Sequence, residues 1–159
     1  MLIKLLLNSF ISSNFIPSKI RNKLLRMIGL KIDETACISS HCFFGGTNIQ
    51  IGKNSFINHG CFLDNMEKII IGDNVSIGMR TLLVTSCHNY DNAQQRGGEQ
   101  YGRAISIGNG SWIGANVTII PGISVGEGCV IAAGSVVTKN CEPNCLYGGN
   151  PARKIKQLS

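Results

Sequence analysis

The run I107-G-N-G-S-W-I-G-A-N-V-T-I-I-P-G-I-S-V-G-E-G-C-V-I-A-A-G-S-V-V-T-K-N140 decides the fold. Aliphatic side chains recur at every sixth position: Ile107, Ile113, Ile119, Val125, Ile131 and Val137. Glycine follows three of them, at Gly108, Gly114 and Gly126. An amphipathic helix needs a period near 3.6 and a half-buried strand a period of 2. A period of six fits neither alone. It fits a solenoid in which short strands alternate with tight turns, each turn sending one aliphatic side chain inward.

Working outward, the same spacing runs through Ile71, Ile77 and Leu83, through Ile51, Ile57 and Leu63, and more weakly through Ile32, Ile38 and Phe44. In thirteen hexads the fifth position is small or β-branched: Ala36, Cys42, Ser55, Cys61, Val75, Thr81, Cys87, Ser111, Val117, Ile123, Cys129, Ser135 and Cys141. A second inward position near a corner accepts only such volumes. Buried cysteine behaves as a small hydrophobe, so Cys42, Cys61, Cys87, Cys129 and Cys141 read as core filler, with Cys37 and Cys145 outside the column. Three hexads make one coil, giving about five coils from Ile32 to Glu142. Two extra residues fall between Leu63 and Ile71. A longer insert runs from about Asn89 to Ala104, and long loops in compact repeats are usually functional.

The 159 residues fit one main domain. Apolar residues at 43% and charged residues at 15% exclude wholesale disorder. The net charge of +6 is an N-terminal feature. Lys4, Lys19, Arg21, Lys23, Arg26 and Lys31 precede the first acidic residue, Asp33, and the remaining nine basic residues match nine acidic ones. That distribution, with aromatics at 6%, argues against a nucleic-acid partner. No run of about 18 apolar residues occurs, no signal peptide is recognisable, and free thiols fit a reducing cytoplasm. Residues 1–31 are expected to form a basic, apolar, partly helical segment, and 32–159 the solenoid. Pro17 to Leu30 reads as a helix with Ile20, Leu24, Met27 and Ile28 on one face and Gly29 near its end. Such a helix caps the first coil, or meets an anionic membrane surface with help from Leu2, Ile3, Leu5 and Leu6.

The hexads, together with H88-N-Y-D91, G98-E-Q-Y101 and G148-G-N-P-A-R153, resemble the hexapeptide-repeat acyltransferases. The similarity is strongest to the sugar O-acetyltransferase branch of maltose, galactoside and nodulation acetyltransferases, over about Ile49 to Lys156. The resemblance implies a left-handed parallel β-helix of triangular section, assembled as a homotrimer, with acetyl-CoA as donor and no metal. It places the catalytic base on His88 and Asn58 near the acceptor hydroxyl. Trp112 and Ala115 would lie along the pantetheine arm, Ala133, Thr138 and Lys139 further along the cofactor, and Arg153 and Lys156 at its phosphate end. The chain departs from the pattern at Asn89, where proline is usual, and at Gly60, where relatives carry a polar side chain. Its N-terminus is also shorter than the one that supplies an acceptor carboxylate in disaccharide-specific members.

The chemistry agrees. Moving an acetyl group from a thioester to an alcohol requires removal of the alcohol's proton, and histidine titrates in the right range. A backbone N–H in a glycine-rich coil would serve the oxyanion. Cys87 is a tempting nucleophile, but adjacent residues of an extended segment point to opposite faces, so Cys87 and His88 do not form a pair. His41 and His59, 18 apart, would stack one coil above the other, which raises a resemblance to hexapeptide-repeat zinc carbonic anhydrases, but that needs three ligands from only three histidines. Trp112 could instead pack against a neighbouring subunit. The expectation is direct acetyl transfer to a sugar hydroxyl of a surface glycan or its precursor. N-acetylation of a nucleotide-linked amino sugar is the rival, and a non-catalytic scaffold the remaining class.

Overall fold

The computed structural model describes residues 6–159. The expected membrane contributions of Leu2, Ile3, Leu5 and Lys4, and the side chain of Leu6, lie outside the described residues.

The six-residue period becomes a three-sided parallel β-helix. One face stacks β1 (Lys31–Ile32), β4 (Ile49–Ile51), β7 (Ile69–Ile71), β12 (Ile105–Ile107) and β15 (Ser124–Val125). The second stacks β2 (Cys37–Ile38), β5 (Phe56–Ile57), β8 (Ser76–Ile77), β13 (Trp112–Ile113) and β16 (Val130–Ile131), closed by β18 (Cys145–Gly149) and the antiparallel β19 (Ala152–Gln157). The third stacks β3 (Phe43–Phe44), β6 (Phe62–Leu63), β9 (Leu82–Leu83), β14 (Thr118–Ile119) and β17 (Val136–Val137). Five coils are complete, and β18 begins a sixth. Between β9 and β12 the chain leaves the prism as a hairpin of β10 (Ser86–His88) and β11 (Gln100–Gly102).

All fifteen aliphatic or aromatic landmarks of the period are buried. Each contributes roughly 1.5–3 kcal/mol by leaving water. Twelve of the thirteen fifth-position residues are buried with them. The glycines after the landmarks have a steric cause. A Cβ on Gly114 would sit 2.6 Å from the backbone nitrogen of Ala133 in the next coil, so the coils close only without one. The corners also need a left-handed residue three places after the landmark, which Asn54, Asn74, Arg80 and Asn116 provide.

Cys87 corrects the cysteine reading. It is only partly buried, because the chain has already left the prism for the hairpin. Cys42, Cys61, Cys129 and Cys141 are buried as expected, and Cys145 joins them. Burial, then the neighbouring Cys129 and Cys145, pushes the Cys141 thiol up to about 12.

The helix, α1, runs Ser18–Met27, after a π-helical turn at Leu6–Ile11. Its buried face is Arg21, Asn22 and Leu25, whereas Ile20 and Met27 are exposed. The expected apolar face is therefore wrong by about one residue, because buried polar groups do structural work. The first coil's edge has free backbone groups, a pairing hazard in any sheet. Arg21 takes up the carbonyls of Ile38, Ile11, Ser13 and Ile16. Asn8 pairs with both backbone groups of Phe44 at 2.8 and 3.0 Å, and Ser12 donates to the Cys42 carbonyl. Desolvation lowers the pKa of Arg21. Arg21 thus belongs to the cap rather than to a free basic patch.

Candidate active site

The hairpin positions His88. Its backbone lies opposite Gln100, and its side chain is exposed. His88 Nδ1 lies 2.8 Å from the carbonyl oxygen of Gly98. A carbonyl only accepts, so Nδ1 carries the proton, and in the neutral ring the lone pair is on Nε2. Gly98 itself donates to the Asn89 carbonyl at 2.9 Å, and a Cβ there would sit 2.8 Å from that same oxygen. The glycine therefore lets the loop come close enough to orient the imidazole.

A second holder is Asp64. Its Oδ2 accepts the Ser86 N–H at 2.8 Å, the Thr85 N–H at 3.2 Å and the Thr85 hydroxyl at 3.3 Å. These bonds fix the point where the hairpin leaves the corner after β9. Across the hairpin Cys87 faces Tyr101, whose hydroxyl pKa is raised chiefly by its hydrogen bond with the Cys87 thiol. Cys87 therefore points away from the His88 side chain, as alternation requires.

The remaining expected site residues fall in two groups. Trp112 aligns with Val130, Val130 with Leu146, and Leu146 with Lys156 along the outside of the second face. Arg153 lies opposite Gly148. The register shift at Leu146/Tyr147 skips Ile155, and this puts Arg153 and Lys156 on one side of β19 despite their odd spacing. Ala115 and Ala133 sit one above the other at the corner after this face, where the Gly134 N–H donates to the Ala115 carbonyl at 2.8 Å. Asn58 belongs to the same corner two coils earlier, next to Gly78 and in line with Gly114.

His88, Thr138 and Lys139 belong to the next corner, after the third face. The third face, with β14, lies between the two corners, so one chain does not bring all the expected residues to a single point. The face between them is apolar outside as well as inside. Phe43 and Phe62 stack with ring centroids 4.3 Å apart, and Phe62 and Leu82 are each 38% exposed.

The second-face edge suits a long, thin acyl carrier. Trp112 is 59% exposed. Ala133 and Gly134 are exposed at the corner, with open space where a Gly134 Cβ would be. Beyond them Arg153 and Lys156 offer cationic heads to phosphate.

The two histidines outside the hairpin do not stack. Ile38 aligns with Ile57, so His59 lies over Ser40, and its Nδ1 is 3.0 Å from the Ser40 hydroxyl, while His41 lies under Gly60. One extra residue between Phe44 and Ile51 makes this coil 19 residues long and shifts the register. Among the described residues, no group of three His, Cys, Asp or Glu side chains could hold a metal ion.

Residues 104–139 match the hexapeptide repeat of succinyl-transferase. The chain is 35% identical over 146 residues to the galactoside O-acetyltransferase of Escherichia coli K12, covering 90% of this chain and 72% of that protein. A solved galactoside acetyltransferase in complex with coenzyme A superposes with a TM-score of 0.87 at 32% identity, over 99% of this chain and 78% of that one. A maltose O-acetyltransferase from Clostridium difficile 630 gives 0.76 at 34% identity, over 99% and 83%. Against two yeast acetyltransferase relatives the chain spans only 55% and 58% of their length. The chain belongs to the hexapeptide-repeat acyltransferase family. Within it the chain is an acetyl-CoA-dependent acetyltransferase of the sugar O-acetyltransferase type.

Proposed function

We propose that the chain transfers acetyl to a hydroxyl of a sugar unit in a surface glycan or its precursor, with His88 as general base. The observation that carries this is the His88–Gly98 hydrogen bond, which leaves Nε2 free to accept a proton on an exposed hairpin. Nε2 takes the proton of the acceptor hydroxyl as its oxygen attacks the thioester carbonyl. The tetrahedral adduct collapses, the C–S bond breaks, and the imidazolium returns its proton to the departing thiolate. Such a base contributes about 10²- to 10⁴-fold in rate. Asn58 orients the acceptor. Trp112, Ala115 and Ala133 line the pantetheine arm, Arg153 and Lys156 hold the phosphate end, and Thr138 and Lys139 contact the donor from their own corner.

We infer assembly as a homotrimer, which the same geometry favours. The apolar third face needs cover, and the two groups of site residues need a second copy to meet. Packing that face against a neighbour would set one subunit's His88 beside another's Ala115 and Ala133. Mixing His88→Ala with Arg153→Glu subunits then restores part of the activity that each lacks alone.

A membrane-linked acceptor is favoured by the outer side of α1, where Ile20 and Met27 are exposed beside Lys19 and Lys23, with Phe15 94% exposed nearby. Among the described residues no helix is long and apolar enough to cross a membrane.

The test is acetyl-CoA-dependent release of free CoA across a panel of sugars and nucleotide sugars. An alkali-labile ester product supports the reading. An alkali-stable amide on an amino sugar replaces it with N-acetylation.

A further inference from the structure

The corner that carries Asn58 also carries His59, an imidazole that no step of the proposed transfer uses. Its ring is held by a polar chain that starts in the N-terminal cap. Ser40 is only 4% exposed, and its hydroxyl donates to Asn14 Oδ1. A hydroxyl has one proton to give. Toward His59, whose Nδ1 is 3.0 Å away, the Ser40 oxygen therefore accepts. Nδ1 of His59 carries the proton, and in the neutral ring the lone pair is on Nε2. The side chain of His59 is exposed, and its Nε2 has no partner among the described residues.

Asn58 supplies the complement. Its Oδ1 accepts the backbone N–H of His59 at 2.8 Å, which leaves Nδ2 to donate elsewhere. Next to the pair, a Cβ on Gly60 would meet only the Arg80 side chain, at 3.6 Å, so there is room for a ligand. The same corner runs on in register toward the expected donor contacts. The Arg80 N–H donates to the His59 carbonyl at 2.9 Å, Asn116 to Met79 at 2.9 Å, and Gly134 to Ala115 at 2.8 Å. His59 is thus two coils from Ala115, roughly 10 Å along the axis. A donor and an acceptor on adjacent residues match two adjacent hydroxyls of a sugar ring, one accepting from Asn58 and the other donating to His59. A thioester or a carboxylate has no proton to offer Nε2.

We propose that His59 selects the acceptor: its Nε2 accepts a hydrogen bond from a sugar hydroxyl adjacent to the one that Asn58 binds, and Ser40 and Asn14 are positioning residues that fix its ring. This rests on the preceding reading in taking the acceptor to be a sugar and Asn58 to contact it. It gives the N-terminal cap a task beyond covering the first coil, because Asn14 orients an acceptor contact through the buried Ser40.

Two measurements on the whole chain test it. Without acetyl-CoA, the imidazole Cε1–H signals are followed by NMR as methyl hexopyranosides and their singly deoxygenated forms are added. The His59 signal, assigned by its absence from His59→Phe, is expected to move with a full sugar and not with one of its deoxy forms. In steady-state transfer, His59→Phe should raise KM for that sugar about tenfold, the worth of one hydrogen bond. KM for acetyl-CoA and kcat should stay within about twofold, as loss of a binding contact requires. His59→Gln, which keeps an acceptor near the Nε2 position, should recover part of the loss. Ser40→Ala and Asn14→Ala, which free the ring without removing it, should raise KM about threefold. With the insensitive deoxy sugar, every variant should match the parent, whereas a merely structural role raises KM for all sugars alike. If Ser40→Ala does not fold, the exposed Asn14→Ala decides. The proposal is overturned if no sugar moves the His59 signal, if His59→Phe leaves KM unchanged, or if KM rises equally for every deoxy form. Sugars that move the signal but receive no acetyl would instead overturn the transfer reading, and a sugar acetylated without moving it overturns this proposal alone.

Discussion

The coils and the hairpin that interrupts them obey different rules. In the coils, landmarks such as Ile57, Ile113 and Ile119 are fully buried, and backbone groups are satisfied by the strand above or below. Between Ser86 and Gly102 the residues are exposed or only partly buried, and pairing is antiparallel within the hairpin itself. The prism is held by volume and the hairpin by a few placed hydrogen bonds, those of Asp64 at its base and Gly98 near its tip. Rigid repetition supplies a platform, and the irregular insert carries the proposed base at its edge.

That contrast is easiest to break with glycine. Gly114→Val drives a side chain into the backbone of Ala133 and should yield no folded protein, read by circular dichroism and recovery of monodisperse material. Gly97→Val, in the hairpin, meets nothing within 4 Å and should leave the melting temperature unchanged. Equal behaviour of the two would mean that the coils are not close-packed.

Next in size is Ile57→Ala, expected to cost about 2–5 kcal/mol in denaturant unfolding, as buried large-to-small changes do. Asp64→Ala should lower kcat about tenfold, leaving KM for acetyl-CoA within twofold, because Arg153, Lys156 and Trp112, the proposed cofactor contacts, lie on the second face. Asp64→Asn, which keeps one acceptor oxygen, should recover part of the loss. A change confined to melting temperature would leave Asp64 a purely structural residue.

Thiol labelling at pH 8 gives a graded readout. Cys37 and Cys87, partly exposed, should react in the native protein. Cys42, Cys61, Cys129, Cys141 and Cys145 should react only after unfolding, as mass spectrometry would count. The smallest effect is expected at the exposed Glu142–Lys154 ion pair, 2.6 Å apart. Its hydrogen bond to Lys154 holds the Glu142 pKa down, and the same bond raises that of Lys154. The Glu142 contribution is therefore present above the ordinary carboxylate range and lost as pH falls through the lowered value. Glu142→Gln should slightly flatten the acid limb of the melting curve against pH.

The prism was legible because its physics is periodic. Every landmark from Ile32 to Val137 could be numbered from the spacing, and all are buried. The candidate base His88 was singled out by its motif and its place beside a long insert. What orients its ring was not legible. Asp64 is a single carboxylate after a landmark, and nothing local shows that it receives the backbone of residues 21 and 22 places on. Helix α1 misled because Arg21 and Asn22 are polar residues buried for the backbone bonds they make, which hydrophobic periodicity counts as outward. Arg153 and Lys156 share a side only through a bulge, which alternation alone would deny. The division of the site residues between two corners appears only once the coils are stacked.

The central claim is that the hairpin's imidazole, and not its thiol, carries the reaction. The direct test is the rate of acetyl transfer from acetyl-CoA by His88→Ala and Cys87→Ala, each checked for an unchanged circular dichroism spectrum. The account predicts a fall of about 10²- to 10⁴-fold for His88→Ala and at most a severalfold change for Cys87→Ala. A His88→Ala protein that keeps most of its turnover while Cys87→Ala loses it would contradict the account.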